Sequence, residues 1–181
     1  INDVHALRRE GALDAAAALG VPVVLMHMQG EPRSMQQAPD YDDVVGDVHR
    51  FLTERIFAAE MSGIAKKNLV IDPGFGFGKD MQHNLALLAQ LDRFTDLGVP
   101  VLAGLSRKRS IGEIPGRDEP ARRVFGPVAA HLTAVQRGAS IVRVHDVAAT
   151  VDALKVWNAV AAVVLPRNTS ASTAIRWPDD D

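Results

Sequence analysis

Cysteine is absent from this chain of 181 residues, and this absence excludes disulfide bonds and thiolate metal sites. An excess of positive charge is also absent: the net charge is −2 and the pI is about 6.3, so the chain has no basic field of the kind that holds nucleic acid. No apolar run reaches the roughly 18 residues that a transmembrane helix needs. The first residues, 1–4, lack the basic start and the long apolar stretch of a secretory signal. The remaining composition, 47% hydrophobic and 23% charged, predicts a globular protein that we expect to be cytoplasmic.

Short apolar runs alternate with helical patterns along the chain, an order that is typical of parallel strands. Helical periodicity predicts helices at residues 11–19, 42–61, 81–97, 120–137 and 147–163. Strand-like runs occur at residues 21–28, 69–72, 99–106 and 140–144, with Ile1 as the end of a possible fifth strand. The pattern stops after residue 163, so we expect one domain over residues 1–163 and a polar, disordered tail over residues 164–181.

Two architectures of the α/β class fit this alternation: a doubly wound sheet and part of a (β/α)8 barrel. A complete barrel takes about 250 residues, and the chain without its tail is about a third short of that. The chain also begins without methionine and inside a strand-like segment. We therefore expect a fragment of a longer protein.

Polar residues cluster where the predicted strands end, at the edge that carries the active site in parallel α/β proteins. The first cluster is Leu69-Val-Ile-Asp72-Pro-Gly-Phe-Gly-Phe-Gly-Lys79. Asp72 ends a buried strand, where an ionised carboxylate needs a partner. The alternating Gly74, Gly76 and Gly78 would let the backbone approach a flat ligand closely. The alternative interpretation is a helix cap with a tight turn.

A second cluster is Val101-Leu-Ala-Gly104-Leu-Ser106-Arg107-Lys108. Continued as a strand, this segment would point Gly104, Ser106 and Lys108 to one face and Arg107 to the other. A lysine at this edge could neutralise an anion, donate a hydrogen bond or form a Schiff base. The alternative is a solvated basic loop.

A third cluster is Ile141-Val-Arg143-Val-His145-Asp146. Arg143 and His145 share a face by the same period, and positive groups at the end of an apolar strand suit a phosphate or a carboxylate. The alternative is a buried arginine that pairs with a structural acid.

The fourth cluster is Val23-Val-Leu-Met26-His27-Met28-Gln29-Gly30, in which Met26 and Met28 share a face. Methionines in such a position are more often core than pocket lining, and a lone histidine such as His27 is more often structural than catalytic. Asn2 closes the first strand, and its amide could both donate to and accept from the edge of a heterocycle.

Together, five segments resemble the successive strand-end motifs of the dihydropteroate synthase family: Ile1-Asn2-Asp3-Val4, Leu25-Met26-His27-Met28-Gln29-Gly30, Asp72-Pro-Gly-Phe-Gly-Phe-Gly-Lys79, Gly104-Leu-Ser106-Arg107-Lys108 and Arg143-Val-His145-Asp146. They stand in the family's order and at its spacing over residues 1 to about 163. The resemblance implies a (β/α)8 TIM barrel, usually a homodimer, of which this chain would hold the part from about the end of strand 4 to helix 8. It also implies a step of folate biosynthesis, the target of sulfonamides. In that step 6-hydroxymethyl-7,8-dihydropterin diphosphate condenses with p-aminobenzoate and releases pyrophosphate, with Mg²⁺ on the diphosphate.

By motif match, the resemblance implies that Asn2, Asp72 and Lys108 hold the pterin. Met26 and Gly104 would line the slot into which the pterin fits.

The resemblance also implies that Arg143 and His145 hold the leaving diphosphate, while Phe77 and Ser106 lie near p-aminobenzoate. The catalytic residues would be Lys108, Arg143 and His145. The expected chemistry is loss of pyrophosphate to leave a pterin cation, followed by attack of the aryl amine.

The family's first barrel strands would precede Ile1. They carry the asparagine near the metal, an aspartate on the pterin and two mobile loops that close over p-aminobenzoate. We therefore expect no metal ligand in this chain, an exposed sheet edge with apolar surface, and a chain that is inactive or poorly stable alone. The segment Arg122-Arg-Val-Phe125-Gly126-Pro127 also departs from the small hydroxyl residues that are usual there.

Three competing interpretations remain. Another pterin-binding barrel, such as a methyltetrahydrofolate:corrinoid methyltransferase, would share the pterin aspartate but gives no reason for Ser106-Arg107-Lys108 together with Arg143-Val-His145. A partial barrel could also bind pterin or dimerise without turnover. A lyase that forms a Schiff base on Lys108 is the third, and borohydride trapping with a carbonyl substrate would reveal it.

Overall fold

Parallel strands alternate with helices in the computed structural model, which describes residues 1–30, 39–108, 111, 114 and 124–163. The strands are β1 (Asn2–Asp3), β2 (Val23–Met26), β3 (Leu69–Asp72), β4 (Leu102–Ala103) and β5 (Ile141–Val142). The helices are α1 (Ala12–Leu19), α2 (Val44–Met61), α3 (Met81–Ala89), α4 (Phe125–Gln136) and α5 (Val147–Ala161). The predicted tail and the predicted first turn of the fourth helix, residues 120–123, lie outside the described residues.

The strands are neighbours in the order in which they occur along the chain. One parallel sheet has the order β1-β2-β3, and β4 pairs in parallel with β5. An isolated bridge between Ile71 and Val101 joins the two sets, and the Ile71 N–H donates to Pro100 O at 3.0 Å. A doubly wound sheet reverses its strand order at a switch point, whereas a (β/α)8 barrel keeps the chain order. The topology therefore confirms the partial barrel and decides against the doubly wound sheet.

The hydrophobic core lies between the strands and the helices that cover them. Leu25, Leu69 and Ile71 of β2 and β3 are fully buried. Helix α2 packs against β2 and α3, and its Val48 and Leu52 are fully buried as well. Each such side chain contributes about 1.5–3 kcal/mol relative to an exposed one. No helix in the described part of the chain has the length and apolar character to cross a bilayer.

The predicted helix over residues 81–97 is interrupted. Helix α3 ends at Ala89, Gln90 has φ −121° and ψ 29°, and a 3-10 helix follows over Leu91–Leu97. A 3-10 helix has three residues per turn, so Leu91 and Phe94 lie on one side of it, and both are fully buried. Burial of this pair explains why the tighter helix replaces the last turns of the predicted α-helix.

Both ends of the strand arc are open in the described ranges. β1 pairs only with β2, and β5 pairs only with β4. Helix α5 exposes Val147, Val156 and Val160, and Ile141 of β5 is also exposed. This is the exposed edge and apolar surface expected of a partial barrel; the expected low stability of the isolated chain stays a prediction.

Two phenylalanines test the position of the core. Phe94→Ala should lower the free energy of unfolding by about 3–5 kcal/mol, because the ring is 0% exposed and its loss leaves a cavity. Phe57 is 65% exposed on α2, and Phe57→Ala should change that free energy by only about 0.5 kcal/mol or less. Urea denaturation followed by circular dichroism measures both. Equal losses in the two variants would contradict this assignment of the core.

Candidate active site

A cleft of about 540 Å³ lies at the carboxyl ends of the strands. Small-molecule sites have volumes of about 300–1,000 Å³, so the cleft has the size of a substrate pocket. Most of the predicted site residues line it: Asn2, Met26, Phe77, Gly104, Ser106, Lys108, Arg143 and His145. Val4, Arg107 and Val144 line it as well, and none of the three was among the predicted site residues.

Asp72, the remaining predicted site residue, ends β3 next to the cleft and is only 1% exposed. Its Oδ1 accepts from the Gly74 N–H at 2.8 Å, and its Oδ2 accepts from Arg143 Nη2 at 3.1 Å. Burial raises the pKa of Asp72, and the bonds to Gly74 and Arg143 oppose this rise. Asp72 is therefore the acid that pairs with Arg143, as the structural interpretation of Arg143 expected; the binding roles of both residues stay predictions.

Arg143 spans from the end of β5 to the end of β3. Its side chain is 41% exposed, so the guanidinium contacts the buried carboxylate of Asp72 and still faces the cleft. A Cβ atom on Gly104 would lie 2.6 Å from Arg143 Nη2. The absence of a side chain at Gly104 therefore makes room for the guanidinium.

Lys108 packs against an aromatic ring and is not a solvated loop residue. Its Nζ lies 4.4 Å from the centroid of the Phe77 ring, within the range of a cation–π contact. Burial and the positive charge of Arg143 lower the pKa of Lys108, while Asp72 raises it. Two cations thus lie near each other in the cleft, where an anionic ligand would relieve their repulsion.

The predicted alternation of faces along residues 101–108 is wrong. β4 ends at Ala103, and Arg107 has φ 56°, in the left-handed region. The period of two holds only while the backbone is extended, so it does not apply beyond Ala103. Arg107 consequently lines the same cleft as Lys108, and its Nη2 donates to Asp146 Oδ1 at 3.1 Å.

Ser106 and His145 form a hydrogen-bonded pair in the cleft. Ser106 Oγ accepts from the His145 backbone N–H at 3.1 Å and lies 3.0 Å from His145 Nδ1. Because the hydroxyl has a single hydrogen, it can donate that hydrogen to Nδ1 of a neutral imidazole. In the tautomer that carries its hydrogen on Nε2, that hydrogen is available to a ligand.

Three consecutive residues at the end of β2, Met26 to Met28, are all buried, but only Met26 of the three lines the cleft. The ring of the buried His27 packs edge-on against Phe51 with 4.9 Å between the ring centroids. The Nδ1 atom of His27 lies 3.0 Å from Lys79 Nζ. Burial and the charge of Lys79 lower the pKa of His27 to about 3. These contacts confirm the structural interpretation of His27.

The glycine loop, residues 74–78, is held by side chains from neighbouring elements. Gly74 has φ 72°, and a Cβ there would lie 1.8 Å from His27 O, so only glycine fits. The Gly76 N–H donates to Asn84 Oδ1 at 2.7 Å, and Tyr41 OH donates to Gly78 O at 2.9 Å. Sequence reasoning missed Asn84 and Tyr41. The signal for Asn84 was available, because an amide on the buried face of a predicted helix needs partners.

The side chains of the cleft do not form a metal site of their own. Within the described ranges, no group of three histidines and carboxylates could hold a metal ion. The carboxylate nearest to the cleft, Asp72, is already paired with Arg143, and the other charged residues that line the cleft are Arg107, Lys108 and Arg143. The Mg²⁺ that the resemblance implies has no ligand set among these residues.

Comparisons with known proteins agree with this geometry. A family model described as pterin binding enzyme matches residues 1–145. The chain is 54% identical over 162 residues to the dihydropteroate synthase of Haemophilus influenzae, which covers 89% of this chain and 58% of that relative. The structure of Xanthomonas albilineans dihydropteroate synthase with 4-aminobenzoic acid has a TM-score of 0.86 at 69% identity and covers 91% of this chain and 58% of that one. The complex of the same enzyme with 7,8-dihydropteroate has a TM-score of 0.85 at 68% identity and covers 91% and 60%.

These likenesses confirm the resemblance inferred from the strand-end motifs and the partial barrel fold. The chain spans 58% of the length of the Haemophilus influenzae relative.

The buried His27 gives the stability of the fold a defined pH dependence. Its pKa is about 3 in the folded chain and 6.5 when unperturbed, so the unfolded chain binds more protons between these values. The stabilising contribution is complete above pH 6.5 and is lost as the pH falls towards 3, by up to about 1.4 kcal/mol per pH unit. Urea denaturation between pH 7.5 and 4.5 should therefore show a shallower pH slope for His27→Gln than for the wild type. Parallel slopes would contradict the buried, neutral imidazole, whatever the offset between the two curves.

Proposed function

This chain belongs to the pterin-binding enzyme family, and on that premise we propose that it performs the chemistry of a dihydropteroate synthase. The proposed reaction joins 6-hydroxymethyl-7,8-dihydropterin diphosphate to p-aminobenzoate and releases pyrophosphate. One observation carries the proposal: a cleft of substrate size is lined by the two cations Arg143 and Lys108, and Arg143 contacts a buried carboxylate, Asp72, at its edge. A pterin diphosphate has a matching polarity, with hydrogen-bond donors on the ring and negative charge on the diphosphate.

The pterin would bind where donors, acceptors and a flat slot come together. A carboxylate has about four lone-pair sites, so Asp72 can accept from the guanidine-like edge of a pterin and from Arg143 at the same time. The amide of Asn2 supplies a donor and an acceptor at the same cleft. Met26 and Gly104 leave a thin, apolar space that suits a flat ring.

The cations act on the leaving group. As the bond between the pterin methylene carbon and the diphosphate oxygen breaks, its electron pair goes to pyrophosphate, and negative charge grows there. Lys108 and Arg143 stabilise that charge, and the Nε2–H of His145 can donate to a phosphoryl oxygen. The negative charge of pyrophosphate also offsets the repulsion between Lys108 and Arg143. The pair of cations is therefore more stable with pyrophosphate bound than in the empty cleft.

The aryl amine then attacks the electron-poor methylene carbon. Its nitrogen forms the new bond and loses one proton, while Phe77 and Ser106 line the part of the cleft proposed for p-aminobenzoate. No covalent bond to the protein is needed in either step. Positioning of the two substrates and charge stabilisation supply the rate.

Lys108 and Arg143 also distinguish the proposed function from its alternatives. A methyltransferase of this family would use the pterin aspartate but would have no diphosphate for Lys108 and Arg143 to bind. A Schiff-base lyase would leave Lys108 reducible onto a carbonyl substrate by borohydride, and we expect no such trapping. A partial barrel that only binds pterin would bind a pterin diphosphate analogue without forming product. The Mg²⁺ requirement and a homodimer stay predictions of the resemblance, and a cytoplasmic location stays a prediction from the composition.

The first test concerns Asp72, the carboxylate proposed to bind the pterin. Asp72→Asn should weaken binding of a pterin diphosphate analogue about 10- to 100-fold, because a charge-assisted hydrogen bond contributes about 1.5–3 kcal/mol. Isothermal titration with and without Mg²⁺ measures this loss. The matched control is Asp92→Asn, an exposed acid outside the cleft, which should leave the affinity unchanged.

If the folded wild-type chain does not bind, the same variants can be compared in a fusion that places the N-terminal part of the Haemophilus influenzae relative before residue 1. Failure of that fusion to bind the analogue would contradict the proposal.

The second test concerns the proposed contact between Arg143 and the diphosphate. Arg143→Met should reduce the affinity for the pterin diphosphate analogue about 10-fold or more beyond any change for the same pterin without its diphosphate, since only the former loses a charged contact. Arg137→Met is the control, because Arg137 lies at the end of α4 and pairs with Asp92. An equal effect of Arg143→Met on both ligands would show that Arg143 supports Asp72 alone and does not bind the leaving group.

A further inference from the structure

Lys79 is buried to an extent that is unusual for a lysine. It is 2% exposed, and lysines are almost never fully buried unless they are paired. Within the described ranges Lys79 forms no ion pair. Burial lowers its pKa to about 7, although the charge of Asp72 acts in the opposite direction. The cost of this burial has to be offset by the groups around the ammonium.

Three acceptors surround Lys79 Nζ, each at 3.0 Å: the carbonyl oxygen of Gly74, the carbonyl oxygen of Phe77 and Nδ1 of His27. An ammonium has three hydrogens, and the neutral His27 offers Nδ1 as an acceptor, so donors and acceptors match one to one. A shorter or apolar side chain at position 79 would remove the Lys79 donor from all three acceptors, and of these Gly74 O would keep its bond from the Phe77 N–H.

Two of these acceptors define the shape of the glycine loop, residues 74–78. Gly74 and Phe77 are three residues apart, and the Phe77 N–H also donates to Gly74 O at 3.1 Å. The loop contains no helix or strand, so its shape depends on such contacts. Lys79 draws both carbonyl groups inward, and this leaves the ring of Phe77 on the cleft side, against Lys108.

The ammonium of Lys79 also contacts residues next to the pterin part of the cleft. His27 directly follows Met26, which lines the slot proposed for the pterin. Gly74, whose carbonyl binds the ammonium, donates its N–H to Asp72. Asp72 and Met26 are themselves held by the pairing of β2 with β3, whereas Phe77 is held by the loop. Loss of the ammonium should therefore displace Phe77 more than it displaces the pterin contacts.

We propose that Lys79 is a positioning residue that holds residues 74–78 so that Phe77 is correctly placed for the aryl amine substrate. The inference deepens the proposed synthase function and rests on it. Lys79 does not contact the cleft itself, and it acts on the substrate only through the loop.

The test uses the fusion with the N-terminal part of the Haemophilus influenzae relative, in which steady-state rates can be measured for both substrates. Lys79→Met should raise the KM for p-aminobenzoate about 10-fold or more, the size expected when positioning contacts of about 1.4 kcal/mol are lost. The Kd of a pterin diphosphate analogue should change less than about threefold, because the strands hold its contacts. Lys155→Met, at an exposed lysine of α5, is the matched control and should change neither value.

A second variant keeps the test decisive if Lys79→Met folds poorly. The chain has no cysteine, so Lys79→Cys introduces a single thiol into it that can be aminoethylated in denaturant and refolded. This modification rebuilds an ammonium on a side chain of lysine length. The KM for p-aminobenzoate should return to within about threefold of the wild-type value, relative to a wild-type fusion treated in the same way.

A third measurement does not depend on turnover. In the 181-residue chain, the amides of Gly76 and Phe77 should exchange hydrogen faster in Lys79→Met than in Lys155→Met, while the core amides of β3 keep their protection.

Four results separate the inference from the function. An unchanged KM for p-aminobenzoate in Lys79→Met, with an active wild-type fusion, would overturn the inference and leave the synthase function intact. Equal losses for both substrates, or equal kinetics for modified and unmodified Lys79→Cys, would show a general structural role and overturn it as well. A folded wild-type fusion without synthase activity would remove the proposed function, and this inference with it.

Discussion

Asp72 holds a carboxylate at the end of a buried strand, and the arrangement of the whole cleft follows from how that carboxylate is accommodated. Its two oxygens are bound by the first amide of the glycine loop and by the guanidinium of Arg143. The first contact requires the loop to turn sharply at Gly74, and the second requires the ends of β3 and β5 to face the same space. Removal of a buried acid from this position would leave the loop and the arginine without the partner that orients them.

The cleft beside this carboxylate has an excess of positively charged side chains. Arg107, Lys108 and Arg143 all line it, and among the described residues only Arg107 and Arg143 of these three have acidic partners, Asp146 and Asp72. Lys108 instead packs on the ring of Phe77 and has its pKa lowered by burial and by Arg143. This distribution of charge suits a ligand that has both a donor-rich ring and an anionic arm. The electrostatics thus select for a molecule with two opposite ends, as the proposed substrate has.

The glycine loop shows how a segment without regular structure can be held rigidly. Its backbone groups are bound by side chains from three places: Tyr41 ahead of α2, Asn84 within α3, and Lys79 at its own end. Lys79 and Asn84 are buried and each makes more than one hydrogen bond, while Tyr41 is partly buried. The loop connects the strand that ends at Asp72 to the ring of Phe77, which lines the cleft. These contacts therefore link the parts of the cleft proposed for the two substrates.

The sequence by itself determined the alternation of strands and helices, the family, and most of the residues that line the cleft, because burial patterns and strand-end motifs are local properties of the chain. The helix break at Gln90, the left-handed turn at Arg107 and the pairing of Arg143 with Asp72 were decided only by the tertiary structure. Burial of Leu91 and Phe94 selects the tighter helix, and the short pairing of β4 with β5 releases the backbone before Arg107. Asp72 and Arg143 are 71 residues apart in the chain, and their contact exists because the strand arc brings two distant strand ends together.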